Sequence, residues 1–152
     1  MNRKYLKAVL VGFAVVAAFV ILHYGCQESK DLTSGDEAGR VYVAPGTYDE
    51  FYLFTSGGFS GQIGVYGLPS GRMFRVIPVF SQDPEKAWGY SEESKPMFMT
   101  SYGFIPWDDA HHPKLSQTEG IADGRWIFIN ANNTPRVARV DLKTFKTSEI
   151  IE

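Results

Sequence analysis

The sequence predicts an all-β protein, and three observations support this prediction. Aromatic residues make up 14% of the 152 residues, Gly is plentiful and charged residues reach 21%, a composition typical of folded, strand-rich domains. From Tyr48 onward, aromatic and β-branched runs alternate with Gly and Pro turn signals. A pattern in residues 51–77 recurs 74 positions later. The length suffices for one small domain.

Residues 1–26 are predicted to be a signal peptide or a lipoprotein signal. Met1–Lys7 is basic, and Ala8–Leu22 is an unbroken apolar run that is shorter than the roughly 20 residues needed to cross a bilayer. An uncleaved anchor helix is the alternative interpretation. The pair Arg3-Lys4 is not a twin arginine, which favours export through the general secretory route.

The single cysteine, Cys26, follows the apolar run, so the chain cannot form an internal disulfide. Gly25 suits a lipoprotein attachment site, whereas His23 and Tyr24 do not, and both lipidation and an incidental cysteine stay open. Residues 27–47 are predicted to be a flexible linker, because most of this stretch is polar and without periodicity. The folded domain is therefore expected at residues 48–152.

Charge and glycine patterns exclude two classes of function. The formal net charge is −2, and three of the basic residues (Arg3, Lys4 and Lys7) lie in the predicted signal, so nucleic acid is not expected as a partner. The glycine-rich run Ser56–Gly61 has neither the Lys-Ser/Thr pair nor the following helix of a phosphate-binding loop. It predicts a loop between strands where backbones approach closely.

The repeat predicts how the strands are organised. The first copy predicts strands at 48–56, 62–68 and 72–80, with a turn at Leu68–Gly71. A 74-residue shift places the second copy on residues 125–151, and a turn that leads into its first strand is predicted at Asp123–Arg125. Such self-similarity is typical of stacked sheet units such as propeller blades. Two units cannot close a ring, and the chain ends in an apolar strand. We therefore expect an incomplete N-terminal part of a β-propeller of about two blades; a small β domain of two hairpins is the alternative.

The long connection between the copies carries the residues that suggest chemistry. Residues 81–121 are rich in aromatic side chains, which predicts an ordered and functional connection. His111 and His112 are adjacent, and imidazole is a common metal ligand. Pro113 predicts an irregular backbone that would let both rings face one metal, while Asp108 and Asp109 are placed to orient an imidazole. A solvated polar loop is the alternative.

Three runs of the sequence resemble nitrous-oxide reductases at the N-terminal end of their seven-bladed propeller. The runs are Ser56–Pro84, Ser101–Gly120 and Asp123–Phe145. The most specific pattern is Asp-x-His-His-Pro-x-x-Ser-x-Thr, which begins at Asp109. The signal without twin arginine resembles the branch of this family that the general secretory route exports.

The resemblance implies a copper enzyme that reduces nitrous oxide to dinitrogen and water with two electrons and two protons. His111 and His112 match the first two of seven histidine ligands of its tetranuclear copper-sulfide centre, and Asp109 matches an acid near that centre. The family's second, dinuclear copper centre belongs to a C-terminal domain outside these residues. The resemblance also allows calcium in the full-length protein.

The resemblance further implies a periplasmic location, either free or tethered through Cys26 or an uncleaved signal. A periplasmic c-type cytochrome or cupredoxin is the expected electron donor, and the full-length protein is expected to be a homodimer. Because five of the seven ligands are missing, we expect these residues alone to be inactive. The alternative function is an exported, tethered binding module without catalysis.

Overall fold

Antiparallel strands dominate the computed structural model, which describes residues 37–152. Residues 40–152 form one compact unit, and a short helix α1 spans Glu37–Arg40. The predicted signal at residues 1–26 and the first part of the predicted linker lie outside the described residues. Within residues 37–152, no helix is long and apolar enough to cross a membrane.

The first sheet is a three-stranded antiparallel meander. It contains β1 (Phe51–Ser56), β2 (Gln62–Leu68) and β3 (Met73–Pro78), in the order β1-β2-β3. The predicted turn joins β2 to β3, where the Asp49 carboxylate accepts hydrogen bonds from the backbone and hydroxyl of Ser70. The predicted strands and turn of the first copy are confirmed, with strand ends shifted by up to three residues.

The connection between the two sheets follows β3, and its Trp88 Nε1 donates to the Val79 carbonyl at 3.2 Å. It contains two 3₁₀ turns, Pro84–Lys86 and Lys95–Phe98, and a small hairpin of β4 (Met99–Thr100) and β5 (Gly103–Phe104). The buried Phe98 ring packs edge-on against the rings of Trp88 and Phe104, with centroids 5.8 Å and 6.3 Å away. These aromatic contacts give the connection a small core of its own.

The second sheet has four strands. They are β6 (Lys114–Thr118), β7 (Ile121–Asn130), β8 (Val137–Asp141) and β9 (Lys146–Ile151), paired antiparallel in that order. The expectation that Asp123-Gly124-Arg125 is a turn before the strand is wrong, because these residues lie inside β7. The turn is at Glu119 and Gly120, both with positive φ. Gly124 adopts φ +67° beside a register shift in the β6–β7 pairing, which accommodates its backbone within the strand.

The repeat is visible in the register of the two sheets. Tyr52 pairs with Gly67 in the first sheet, and Trp126 pairs with Asp141 in the second, each partner shifted by 74. A bulge falls after Val65 in β2 and recurs after Arg139 in β8, again 74 residues on. The repeated sequence therefore specifies one strand register twice, including its irregularity.

The two sheets bury opposite faces against each other. In β2 the buried hydrophobic residues are Ile63 and Val65, but in β8 they are Ala138 and Val140, one residue out of step with the repeat. When repeated sheets stack in the same orientation, one face of each sheet packs on the opposite face of the next. Equivalent positions of the repeat then differ in burial. Together they enclose a single core of Ile63, Val65, Ile77, Val79, Phe80, Ala110, Ile127, Ile129, Ala131, Ala138 and Val140. The predicted all-β class is confirmed, and the stacking is consistent with a partial propeller.

Candidate metal centre

The two adjacent histidines lie between β5 and β6 with their rings together. The ring centroids of His111 and His112 are 4.1 Å apart, and the ring planes meet at 67°. Neighbouring side chains of an extended strand point to opposite faces, and residues 111–113 lie outside the strands. His111 is half-buried and His112 is exposed. Among the described residues, no side chain donates to or accepts from either imidazole, which leaves their nitrogens available to a metal.

Both sheets hold the backbone of this segment. The Ala110 N–H donates to the carbonyl of Gly58 in the loop between β1 and β2, at 3.0 Å, and Ala110 also bridges to Ala131 after β7. The Ser56 hydroxyl donates to the Ala110 carbonyl. Ala110 is fully buried in the common core. The residue before the histidines is thus fixed between the two repeats.

The glycine-rich loop permits this close approach. A Cβ on Gly61 would lie 2.8 Å from the Phe80 carbonyl oxygen and 2.9 Å from that of Asp108, distances that side chains do not tolerate. Gly61 also adopts φ +65°, which favours glycine. The prediction of a loop with close backbone contact is confirmed.

Asp109 is buried beside the histidines and holds an oxygen without a partner. The residue is 7% exposed. Within residues 37–152, its Oδ1 is the buried side-chain polar atom that has no hydrogen-bond partner. A Cβ on Gly58 would come within 3.6 Å of this oxygen. A buried, unsatisfied carboxylate oxygen is costly and marks a position where an additional donor or cation would be stabilised. It does not hydrogen-bond to either imidazole.

Asp108 does not orient an imidazole, contrary to the sequence-based expectation. Its Oδ1 accepts hydrogen bonds from the backbone and side-chain amides of Asn133, both at 2.9 Å. Its Oδ2 accepts from the Thr134 hydroxyl at 2.6 Å and from Arg136 Nη2 at 3.3 Å. The Asp109 N–H also donates to Oδ1, at 2.8 Å. These five donors occupy the carboxylate and leave it nothing to offer to a histidine. Asp108 instead fastens the histidine segment to the β7–β8 loop.

Arg136 is the cationic partner in this buried network. It is 2% exposed, and it donates to Thr134 Oγ1 at 2.7 Å and to the Ile105 carbonyl at 3.1 Å. Its guanidinium lies over the Phe80 ring, 5.3 Å from the centroid. Sequence reasoning missed Arg136, because arginine is usually exposed and nothing in its neighbourhood marks it as buried.

The surroundings of Asp108 hold its pKa below the ordinary value. Burial alone would raise the pKa, but the hydrogen bonds from Thr134, Asn133 and Arg136 together outweigh burial and lower it. Because the pKa is lower in the folded state, the ionised carboxylate stabilises the fold. This stabilisation is fully present above the unfolded-state pKa of about 3.9 and is lost as the pH falls through the folded-state pKa.

We therefore expect the free energy of unfolding to fall as the pH is lowered below about 4, partly through Asp108. Asp108→Asn cannot ionise and is expected to be less stable at pH 7 but less sensitive to acid. Urea unfolding of both proteins at about pH 7 and pH 3 measures this difference. Equal losses of stability between the two pH values would show that the Asp108 carboxylate does not contribute to acid sensitivity.

Histidine, cysteine, aspartate and glutamate do not form a group of three or more that could hold a metal anywhere in residues 37–152. The structure thus brings His111 and His112 together and places Asp109 next to them in the chain, with its oxygen unsatisfied. Two imidazoles can contribute to a metal site but need further ligands to complete it.

Comparison with known proteins relates the chain to one family. It is 37% identical to a nitrous-oxide reductase of Pseudomonas fluorescens over 152 residues, which is 99% of this chain and 24% of that protein. It is 40% identical to the nitrous-oxide reductase of Stutzerimonas stutzeri over 151 residues, with the same coverage. The chain is a relative of the nitrous-oxide reductases.

A third nitrous-oxide reductase, from Cupriavidus necator, is 37% identical over 115 residues, or 74% of this chain and 18% of that protein. The resemblance to the nitrous-oxide reductase family that the sequence motifs indicated is confirmed. The chain spans about a quarter of the length of the first two relatives. No family model matches the chain.

Proposed function

We propose that the chain is part of a nitrous-oxide reductase, which reduces nitrous oxide to dinitrogen and water. The observation that supports this most directly is a pair of adjacent imidazoles in a chain related to these reductases. Their ring centroids are 4.1 Å apart, and neither ring is hydrogen-bonded to any of residues 37–152. Since the chain spans about a quarter of its relatives, the complete activity requires residues beyond those given. We propose that residues 1–152 alone are inactive.

In this proposal, His111 and His112 supply two ligands of a tetranuclear copper-sulfide centre. The donor set fits, because neutral imidazole is a good copper ligand and neither ring is committed to another group among the described residues. When held by these residues and the rest of the site, the copper centre would bind nitrous oxide and supply the electrons for its reduction. The fixed backbone at Ala110 holds both ligands relative to the sheets.

We propose that Asp109 acts next to this centre. Its buried and unsatisfied Oδ1 would be stabilised by a donor or a positive charge brought by the complete site. As a carboxylate behind the ligands, it would position a ligand or hold a hydrogen bond close to the substrate.

The remaining parts of the proposal concern the complete protein. We propose that it belongs to the branch exported by the general secretory route and that it works in the periplasm, free or tethered near Cys26. There it would receive electrons from a c-type cytochrome or a cupredoxin and would act as a homodimer. These points rest on the sequence resemblance and on the signal-like N-terminus.

The proposal is tested by reading the gene beyond codon 152. We expect an open frame that encodes further strands and further histidines, and a product that binds copper and reduces nitrous oxide. The 152-residue chain expressed with copper is expected to show no turnover. A stop codon at this point, with a stably expressed and copper-free protein, would favour the tethered binding module instead.

In the longer product, replacing His111 and His112 by alanine is expected to lower the copper content and to reduce nitrous-oxide reduction to background. Tyr102→Ala is the matched control, because Tyr102 is 75% exposed in the same connection. We expect this control to keep its copper and its activity. Full activity of the double variant would contradict the role of the histidine pair.

A further inference from the structure

The side chains of the histidine pair are not held by hydrogen bonds to any of residues 37–152, so their orientation depends on the backbone that carries them. Both backbone N–H groups donate to the same residue, Asn130. The His111 N–H donates to the Asn130 carbonyl at 2.9 Å. The His112 N–H donates to the Asn130 side-chain Oδ1 at 3.0 Å. One residue at the end of β7 therefore binds both histidines.

This arrangement differs from a regular strand pair. In an extended strand, successive N–H groups point in opposite directions, and only alternate groups reach the same neighbouring strand. The Asn130 side chain replaces the missing backbone acceptor and captures the second N–H group. Asparagine commonly substitutes for backbone acceptors in this way. At this point the rings of His111 and His112 lie together, with their centroids 4.1 Å apart.

The Asn130 side chain is itself oriented. Its Nδ2 donates to the Ala131 carbonyl at 3.0 Å, which directs Oδ1 towards His112. Ala131 also bridges to Ala110, and Asn132 N–H donates to the Asp109 carbonyl at 2.9 Å. Consecutive residues from Asn130 to Asn132 thus bind consecutive residues on the histidine segment.

We propose that Asn130 is the positioning residue that turns His111 and His112 to one side and presents them as a pair of ligands. The paired arrangement of the two rings is a property of the metal-free chain. Its consequence for copper rests on the proposed function. Asn130 does not itself contact either imidazole in this proposal; it acts through the two backbone N–H groups.

Amide hydrogen exchange in the 152-residue chain, without metal, tests the geometry. In Asn130→Ala the His112 N–H loses its acceptor and is expected to exchange about tenfold faster. The His111 N–H keeps its backbone acceptor and serves as a control within the same molecule. Nuclear Overhauser contacts between the two rings are expected in the unaltered chain and should weaken in this variant.

Two further variants separate positioning from a general loss of structure. Asn130→Asp retains a side-chain oxygen for the His112 N–H and is expected to restore slow exchange and the ring contacts. Asn132→Ala lies in the same loop, keeps its backbone hydrogen bond, and is expected to match the unaltered chain. If Asn130→Ala and Asn132→Ala show the same His112 exchange and the same ring contacts, the proposal is wrong.

Copper binding tests the consequence. The affinity of the chain for Cu²⁺, with nitrogen hyperfine coupling recorded by electron paramagnetic resonance, is expected to fall about tenfold in Asn130→Ala and to recover in Asn130→Asp. An unaltered chain that binds Cu²⁺ no better than the variant with both histidines replaced would contradict the proposed ligand role. The metal-free exchange experiment would still decide whether Asn130 positions the pair.

Discussion

Replacing Arg136 by methionine is expected to lower the free energy of unfolding by about 3–5 kcal/mol, because it leaves the Asp108 carboxylate buried without its cation. Both side chains of this ion pair are 1% exposed. The change also leaves the Ile105 carbonyl and the Thr134 hydroxyl without the guanidinium. Urea unfolding at neutral pH measures the loss.

Arg139→Met is the matched control for this prediction. Arg139 pairs with Glu149 at 3.2 Å, but their side chains are 40% and 49% exposed, and the guanidinium also lies over Trp126. Exposed ion pairs and cation–π contacts each contribute about 1 kcal/mol or less. Equal losses for Arg136→Met and Arg139→Met would show that the buried network is not a main source of stability.

Replacing Ile127 by alanine is expected to destabilise the chain by about 2–5 kcal/mol, since it leaves a cavity where the two sheets meet. Ile127 is fully buried in the shared core and lies in the middle of β7. The loss is expected in one cooperative unfolding transition, because both sheets contribute to that core. Thermal or urea unfolding followed by circular dichroism measures it.

Ile121→Ala makes the same chemical change at the first residue of the same strand. Ile121 is 74% exposed, so its replacement is expected to cost less than about 1 kcal/mol. If both isoleucine variants were equally stable, the sheets would not share the core seen in the structure. Two separate transitions for Ile127→Ala would lead to the same conclusion.

The candidate centre depends on this shared core. Ala110 bridges to Gly58 of the first repeat and to Ala131 of the second. The residue that precedes the histidines is therefore fixed only when the two repeats are packed together. Asp108 also connects the histidine segment to the β7–β8 loop through hydrogen bonds with Asn133 and Thr134. The histidine pair is thus a feature of the interface between two repeated sheets.

The strands and their repetition could be predicted from the sequence. Alternating aromatic and β-branched residues between turn signals placed β1, β2 and β3 close to their observed ends, because period-two patterning is a local property. The 74-residue repeat predicted two copies of one strand unit, and the structure shows that the copies share their register down to the bulges after Val65 and Arg139.

Only the tertiary structure decided which face of each repeat is buried. Equivalent positions in β2 and β8 differ in burial, because each sheet presents the opposite face to its neighbour. The internal turn expected at Asp123–Arg125 became part of β7, since pairing with β6 continues past this point to Ile121. A local turn signal was overridden by strand pairing.

For the candidate centre, the sequence by itself determined the histidine pair, the acid at Asp109 and the glycine loop that lets backbones approach. The tertiary structure decided that Asp108 binds Asn133, Thr134 and Arg136 rather than an imidazole. It also decided that Asn130 holds both histidines. These partners are 18 or more residues away along the chain. Contacts over such separations leave no local pattern, because they exist only once the two sheets have packed.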